Sequence, residues 1–148
     1  MKSVLLAGAG LAATLFAAPA EAQAPATYWT CSYIVPTAQG AGVRMTLAGP
    51  AGERTFTQTV YLASFRTADD IPTAFVKSAQ YKAAFGDYLA GAGYATTSPT
   101  GEAASSGCAF ATTAAEADAR RAELASSGRG RGLRIAVTPV SVDWKPEA

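Results

Sequence analysis

Bulky apolar side chains are scarce in residues 23–148, and this shortage limits the folds that the chain can adopt. Leu, Ile, Val and Phe together supply 20 of these 126 residues. A fraction this low is typical of disordered chains only when the net charge is high, and the net charge here is +1. Six Tyr and two Trp add apolar surface. We therefore expect one folded domain whose interior depends on aromatic rings and on a covalent cross-link.

The first 22 residues have the order of a secretory signal peptide. Lys2 precedes an apolar stretch of 15 residues at positions 4–18, and small residues follow up to Ala22. The stretch is shorter than the roughly 20 apolar residues that a transmembrane helix needs. We predict cleavage after Ala22, an exported domain at residues 23–148 that is periplasmic or secreted, and no stable membrane span after the leader is removed.

Cys31 and Cys108 are the two cysteines of the chain. Both lie in the part that is expected to reach an oxidising compartment, where a disulfide bond persists. The alternative, a redox-active thiol pair, lacks the C-x-x-C spacing that tunes such chemistry. We predict a structural disulfide. Its closure would destabilise the unfolded chain by at most about 4.5 kcal/mol, compared with about 5–15 kcal/mol for the stability of a whole domain.

Alternating apolar residues predict three strands in the first part of the domain. In the first of them, Trp29, Cys31, Tyr33 and Val35 share one side. The three segments span residues 28–35, 43–47 and 54–65. Turn signals at residues 37–42 and 49–52 separate them, so they are expected to form an antiparallel meander.

The apolar spacing becomes helical after Asp70. Asp70 is a suitable cap, Pro72 suits a first helical turn, and Gly91 and Gly93 indicate the end of the helix. The pattern leaves open whether residues 70–78 belong to this helix or form a separate turn. A loop at residues 95–107 and a short strand at residues 107–112 follow.

A capping box at Thr113 and Glu116 predicts a second helix, which Gly128 would end. In the last strand the apolar face changes at Pro139, which indicates a bulge or an edge position. The order of elements predicts an α+β domain: an antiparallel sheet of about four to five strands with two helices on one face.

Several classes of site are excluded because the chain contains neither His nor Asn. His-dependent triads, imidazole metal sites and Asn-linked glycosylation all require one of these residues. A net charge of +1 gives no general attraction to nucleic acid or to an anionic membrane. Phosphate-binding, dinucleotide, zinc and calcium motifs are not found, and Ser78 and Lys82 miss the S-x-x-K spacing by one residue. We expect no catalytic residue, cofactor, metal or nucleic-acid partner.

Five arginines within residues 120–134 are the strongest local concentration of charge: Arg120, Arg121, Arg129, Arg131 and Arg134. One interpretation is an anion-binding site for a phosphate, an acidic glycan or a lipid head group, reached partly from a Gly-rich loop. The other is a solvated helix face balanced by neighbouring acids, followed by a flexible connector. These five residues are the candidate anion-binding set.

The aromatic residues also have two interpretations. The set comprises Tyr28, Trp29, Tyr33, Tyr61, Tyr81, Tyr88, Tyr94 and Trp144. Exposed rings would form a stacking platform for a sugar or a peptide, whereas buried rings would replace the missing aliphatic core.

Residues 60–65, 108–110, 113–119 and 135–137 resemble the β-α-β-β-α-β layout of SPOR domains through a strand that ends in Ser-Phe and an Ala-Glu-Ala helix. SPOR domains are envelope modules, and the resemblance implies binding to the glycan strands of peptidoglycan. The layout is also similar to that of uncharacterised secreted bacterial proteins with paired cysteines and a terminal Trp, for which the resemblance implies no activity.

Together these patterns favour a non-enzymatic exported module that binds a protein partner or an envelope polymer through its sheet or its Arg-bearing end. One alternative is a hydrolase that acts on envelope material, which would need two carboxylates converging in a pocket. Another is a small secreted inhibitor, which would present a rigid protruding loop such as residues 49–52.

Overall fold

A computed structural model describes residues 25–37, 54–130 and 133–147. The elements in these ranges are β1 (Thr27–Pro36), β2 (Arg54–Thr67), α1 (Ile71–Gly91), β3 (Ser105–Ala111), α2 (Ala114–Ala125), β4 (Gly128–Gly130) and β5 (Leu133–Ser141). The predicted signal peptide, the predicted strand at residues 43–47 and the turn at residues 49–52 lie outside the described residues. No helix in the described ranges is long and apolar enough to cross a membrane.

The strands form one mixed sheet in the order β3-β1-β2-β5-β4. β1 is antiparallel to β2 and to β3, and β4 is antiparallel to β5. The α+β class is confirmed. β2 and β5 are parallel, so the prediction of an antiparallel sheet is wrong at this pair. The chain between them passes through α1, β3 and α2 and returns in the same direction, which a parallel pair requires.

The two helices lie on opposite faces of the sheet. Tyr81 of α1 packs edge-on against Trp29, with ring centroids 4.9 Å apart. The neighbouring residue of β1, Thr30, points to the other face and donates a 3.2 Å hydrogen bond to the carbonyl oxygen of Ala117 in α2. We call these the α1 face and the α2 face. The prediction that both helices lie on one face is wrong, because the polar side of β1 is also covered.

Aromatic rings fill the α1 face. Trp29 and Phe85 are fully buried, and Tyr61 and Trp144 nearly so. Trp29 stacks on Phe65 at 5.9 Å. The predicted disulfide between Cys31 and Cys108 is confirmed and lies in the same cluster. On this face the aromatic residues therefore supply much of the core that the aliphatic residues are too few to form.

Local signals predict where both helices begin, but they place the end of α2 too late. The Asp70 carboxylate accepts the Thr73 N–H at 2.9 Å, and α1 runs without interruption from Ile71, so the segment at residues 71–78 belongs to it. Thr113 caps α2 by accepting the Glu116 N–H at 3.3 Å. α2 ends at Ala125, earlier than predicted, because the backbone of Ser126 is extended and Gly128 begins β4.

The change of apolar face in the last strand occurs without a bulge. The register between β2 and β5 is continuous, one residue against one, from Arg54 and Leu133 to Leu62 and Ser141. Among the described residues, β4 pairs only with Leu133–Ile135, so the outer side of the rest of β5, including Pro139, has no partner strand there. The described pairing favours the edge interpretation, since an edge strand tolerates a residue without an N–H.

Candidate functional site

The arginines of the predicted anion site that the structure describes lie on α2, β4 and β5, and Arg129 and Arg134 are register partners in neighbouring strands. Arg121 reaches the sheet, where its two terminal nitrogens donate to Ser64 Oγ at 2.9 Å and to Ser141 Oγ at 2.7 Å. Arg120 is exposed on α2, and Arg134 is exposed on β5. Arg131 and the side chain of Arg129 lie outside the described residues. Anion binding by the whole set therefore stays a prediction, and Arg121 has a structural role in joining α2 to two strands.

A cavity of about 740 Å³ lies between α1 and the segment that follows β5, and we call it the α1 cavity. Its walls come from α1 on one side and from residues 143–147 on the other. Its lining residues are Gln80, Tyr81, Ala84, Asp87, Tyr88, Asp143, Trp144, Lys145, Pro146 and Glu147. The volume is within the range typical of small-molecule sites, about 300–1,000 Å³.

Aromatic rings are fixed around the α1 cavity by the core. Tyr81, Ala84 and Tyr88 are spaced three and four residues apart and therefore share one side of α1. Tyr88 is 39% exposed. Trp144 is held by Phe85, at 5.1 Å, and by Phe65, at 5.5 Å. Of the aromatic set, Tyr81, Tyr88 and Trp144 line this cavity.

Trp144 brings an indole N–H donor to the lining of this cavity. Trp144 is only 9% exposed, and no hydrogen bond joins its N–H to another described residue. A ligand that offers an oxygen acceptor would complete its hydrogen bonding.

Carboxylates outnumber cations around the α1 cavity. Asp87, Asp143 and Glu147 contribute negative charge, and Lys145 contributes one positive charge. None of them forms a salt bridge, since the ion pair found in the described ranges is Lys77 with Asp69. Their oxygens are therefore available to accept hydrogen bonds from a ligand rich in hydroxyl groups.

A polar network at the start of α1 contacts Tyr81. The Asp69 carboxylate accepts hydrogen bonds from Lys77 Nζ at 2.6 Å and from the Tyr81 hydroxyl at 3.5 Å. The bond from Lys77, followed by one from Thr67, lowers the pKa of Asp69 below its ordinary value, and the same bond raises the pKa of Lys77. Thr67 in turn accepts the indole N–H of Trp29 at 3.0 Å. The network ties the start of α1 to the core.

The sequence contained the parts of this site but not their arrangement. Tyr81, Tyr88 and Trp144 were recognisable as aromatic residues, whereas Asp87 and Asp143 are isolated along the chain and gave no pairing signal. The fold brings these two carboxylates to one cavity. No group of three metal-ligating side chains occurs in the part of the chain that the structure describes.

Comparison of the chain with known proteins finds no matching family model, no matching curated protein and no matching solved structure. The assignment of a function therefore depends on the chemistry of the site.

Proposed function

We propose that the protein is a non-enzymatic, periplasmic or secreted module that binds a glycan segment of the cell envelope in the α1 cavity. The observation that carries this proposal is the placement of three aromatic side chains and three carboxylates around one open cavity. The apolar faces of sugar rings pack on aromatic rings, and their hydroxyl groups donate to carboxylates.

The donor and acceptor balance of the cavity supports a glycan. Carboxylates supply acceptors, while Gln80, Lys145 and the indole N–H of Trp144 supply donors. A sugar offers both kinds of group on one ring. An acidic polymer fits less well, because the carboxylates of the cavity would repel it. A glycan strand is also the ligand that the resemblance to SPOR domains implies.

Binding can be tested with two probes, peptidoglycan sacculi in a co-sedimentation assay and the soluble oligosaccharide chitotetraose in a fluorescence titration. We expect the disulfide-bonded protein to sediment with sacculi and chitotetraose to change the emission of Trp144, while Trp29 is fully buried and serves as a constant background. Tyr88→Ala should weaken chitotetraose binding about fivefold, the effect of losing one aromatic contact. Asp143→Asn should weaken chitotetraose binding by more than Tyr88→Ala does.

Phe75→Ala is the matched control, because Phe75 is a 69% exposed ring on α1 that lies outside the cavity. The proposal fails if sacculi do not retain the protein, or if Tyr88→Ala and Phe75→Ala bind equally well.

A hydrolase remains the second candidate because Asp87 and Asp143 both line the α1 cavity. Glycoside hydrolysis uses two carboxylates that flank the scissile bond. Mass spectrometry of chitotetraose after incubation separates the two functions. Shortened products that disappear in Asp143→Asn would replace the binding proposal with an enzymatic one. The inhibitor alternative concerned residues 49–52, which lie outside the described residues.

A further inference from the structure

A second cavity, of about 470 Å³, lies on the α2 face of the sheet, and we call it the α2 groove. The lining residues are Thr30, Ser32, Ile34, Gln58, Gly107, Cys108, Ala109, Arg120, Glu123, Leu124, Ser126, Gly128 and Ile135. It is separated from the α1 cavity by the sheet itself. A ligand in one cavity therefore does not occupy the other.

Two opposite charges stand on the helical wall of the α2 groove. Arg120 and Glu123 are three residues apart in α2, so their side chains leave the same side of the helix. Neither forms a salt bridge with another described residue. Since both line the groove, they offer a cation and an anion to one ligand at neighbouring points.

The floor of the groove contains a hydroxyl group that has no partner among the described residues. Ser32 is only 9% exposed and lines the groove. Its neighbour on the same face, Thr30, uses its hydroxyl to bond α2. Ser32 lies two residues from Thr30 in β1, so its hydroxyl belongs to the polar lining of the groove. Burying it under a ligand is favourable only if the ligand supplies a polar group.

The rest of the groove sets the size and polarity of an occupant. Gly107 and Ala109 of β3 have little or no side chain, which leaves the floor open. Ile34, Leu124 and Ile135 provide the larger apolar side chains of the lining. An occupant of the whole groove thus combines two opposite charges, a hydrogen-bonding group and a small apolar part.

We infer that the α2 groove binds a small zwitterion of the amino-acid class with an apolar side chain. Arg120 pairs with the carboxylate of the ligand, and Glu123 pairs with its ammonium group. Ser32 forms a hydrogen bond with one of these two charged groups. The aliphatic side chain packs against Ile34, Leu124 and Ile135. This inference is independent of the glycan proposal, because it concerns different residues on the opposite face of the sheet.

The test uses three probes of nearly equal shape in ligand-observed NMR titrations. L-leucine carries both charges, 4-methylpentanoate carries the carboxylate alone, and 3-methylbutylamine carries the ammonium group alone. We expect L-leucine to bind about fivefold more tightly than either single-charge probe. A partly exposed ion pair contributes up to about a fivefold change in affinity, and L-leucine forms one more ion pair than either probe.

Variants then assign each charge. Arg120→Gln should weaken L-leucine and 4-methylpentanoate about fivefold and leave 3-methylbutylamine unchanged. Glu123→Gln should weaken L-leucine and 3-methylbutylamine and leave 4-methylpentanoate unchanged. Glu116→Gln is the control for Glu123→Gln, since it removes the same charge from the exposed first turn of α2, outside the groove.

The inference is overturned if none of the probes binds, or if L-leucine binds no better than 4-methylpentanoate. Equal effects of Glu116→Gln and Glu123→Gln would also overturn it, because a long-range charge effect would then explain the result. Arg120→Gln should bind chitotetraose as tightly as the wild type does, because this variant leaves the α1 cavity intact. The two proposals can therefore be tested separately.

Discussion

Cys31 and Cys108 face each other across β1 and β3 with their Cα atoms 4.0 Å apart. This spacing is typical of a non-hydrogen-bonded antiparallel pair, whose backbone groups point away from the partner strand. The outward carbonyl oxygen of Cys108 is then met by α1, since Ser78 Oγ donates to it at 2.6 Å. The edge strand β3 is thus fixed on both sides, by a covalent bond to β1 and by a hydrogen bond to α1.

Reduction of this disulfide should destabilise the protein strongly. The bond closes a separation of 77 residues, which corresponds to an entropic contribution of about 4.5 kcal/mol at most, and measured losses for such bonds are about 2–5 kcal/mol. Urea unfolding with and without reductant, together with a Cys31→Ala/Cys108→Ala double variant, measures the loss. A change below about 1 kcal/mol in both experiments would show that the core is stable without the cross-link.

Arg121 and Arg120 are adjacent in sequence but should respond differently to substitution. Arg121→Ala removes two hydrogen bonds to Ser64 and Ser141 and should lower the free energy of unfolding by about 1 kcal/mol. Arg120→Ala makes the same chemical change at an exposed position and should stay within about 0.5 kcal/mol of the wild type. Equal losses in thermal or urea unfolding would contradict the structural role assigned to Arg121.

Arg121 bonds the sheet while Arg120 is exposed, and this difference shows which parts of the fold the local sequence determines. Consecutive residues of an α-helix diverge by about 100° around its axis, so adjacent identical residues meet different surroundings. Charge density alone marked both as anion-binding candidates. The cap at Asp70 and the capping interaction of Thr113 were predictable, because each depends on residues only three positions apart.

Features that depend on distant residues were not predictable. The Thr30 hydroxyl bonds Ala117, 87 residues further on, so the alternating pattern of β1 could not show that a second helix covers the other side of the sheet. The direction of β5 relative to β2 likewise depends on the path of the chain between them and not on strand periodicity. Prediction of the α1 cavity also requires the path of the chain, since the cavity lies between residues of α1 and residues that follow β5.

The pair of Asp69 and Lys77 should make stability depend on pH at the acid end. The pKa of Asp69 is lower in the folded protein than its ordinary value of 3.8, chiefly because Lys77 donates to the carboxylate. The contribution is therefore fully present above pH 3.8 and is lost as the pH falls through the lower, folded value. The pKa of Lys77 is raised above 10.5, so its own contribution is present below pH 10.5 and is lost only as the pH rises through the raised value.

Two variants test this linkage by urea unfolding as a function of pH. Asp69→Asn and Lys77→Met should each be less stable than the wild type at neutral pH, and the difference should narrow as the pH falls from 3.8 through the lower pKa of Asp69 in the folded protein, where the wild-type carboxylate becomes neutral. Lys82→Met, which removes an exposed charge from the same helix, is the control and should follow the wild-type profile. A difference that stays constant down to pH 2 would show that the ion pair does not cause the effect.

The C-terminal end of α1 offers two glycines at which the same substitution should have opposite effects. Gly91 is the last helical residue, and a Cβ atom built there meets nothing within 4 Å, so Gly91→Ala should stabilise the protein by up to about 0.5–1 kcal/mol through helix propensity.

Gly93 has a positive φ of 81°, the left-handed conformation that closes the helix as Tyr94 N–H bonds the carbonyl oxygen of Leu89 at 3.0 Å. Gly93→Ala should therefore destabilise the protein by about 1 kcal/mol, although its Cβ would also have free space. Thermal unfolding of Gly91→Ala and Gly93→Ala measures whether the two changes in stability have opposite signs. A loss in both would mean that the backbone of the whole helix end, and not only Gly93, requires glycine.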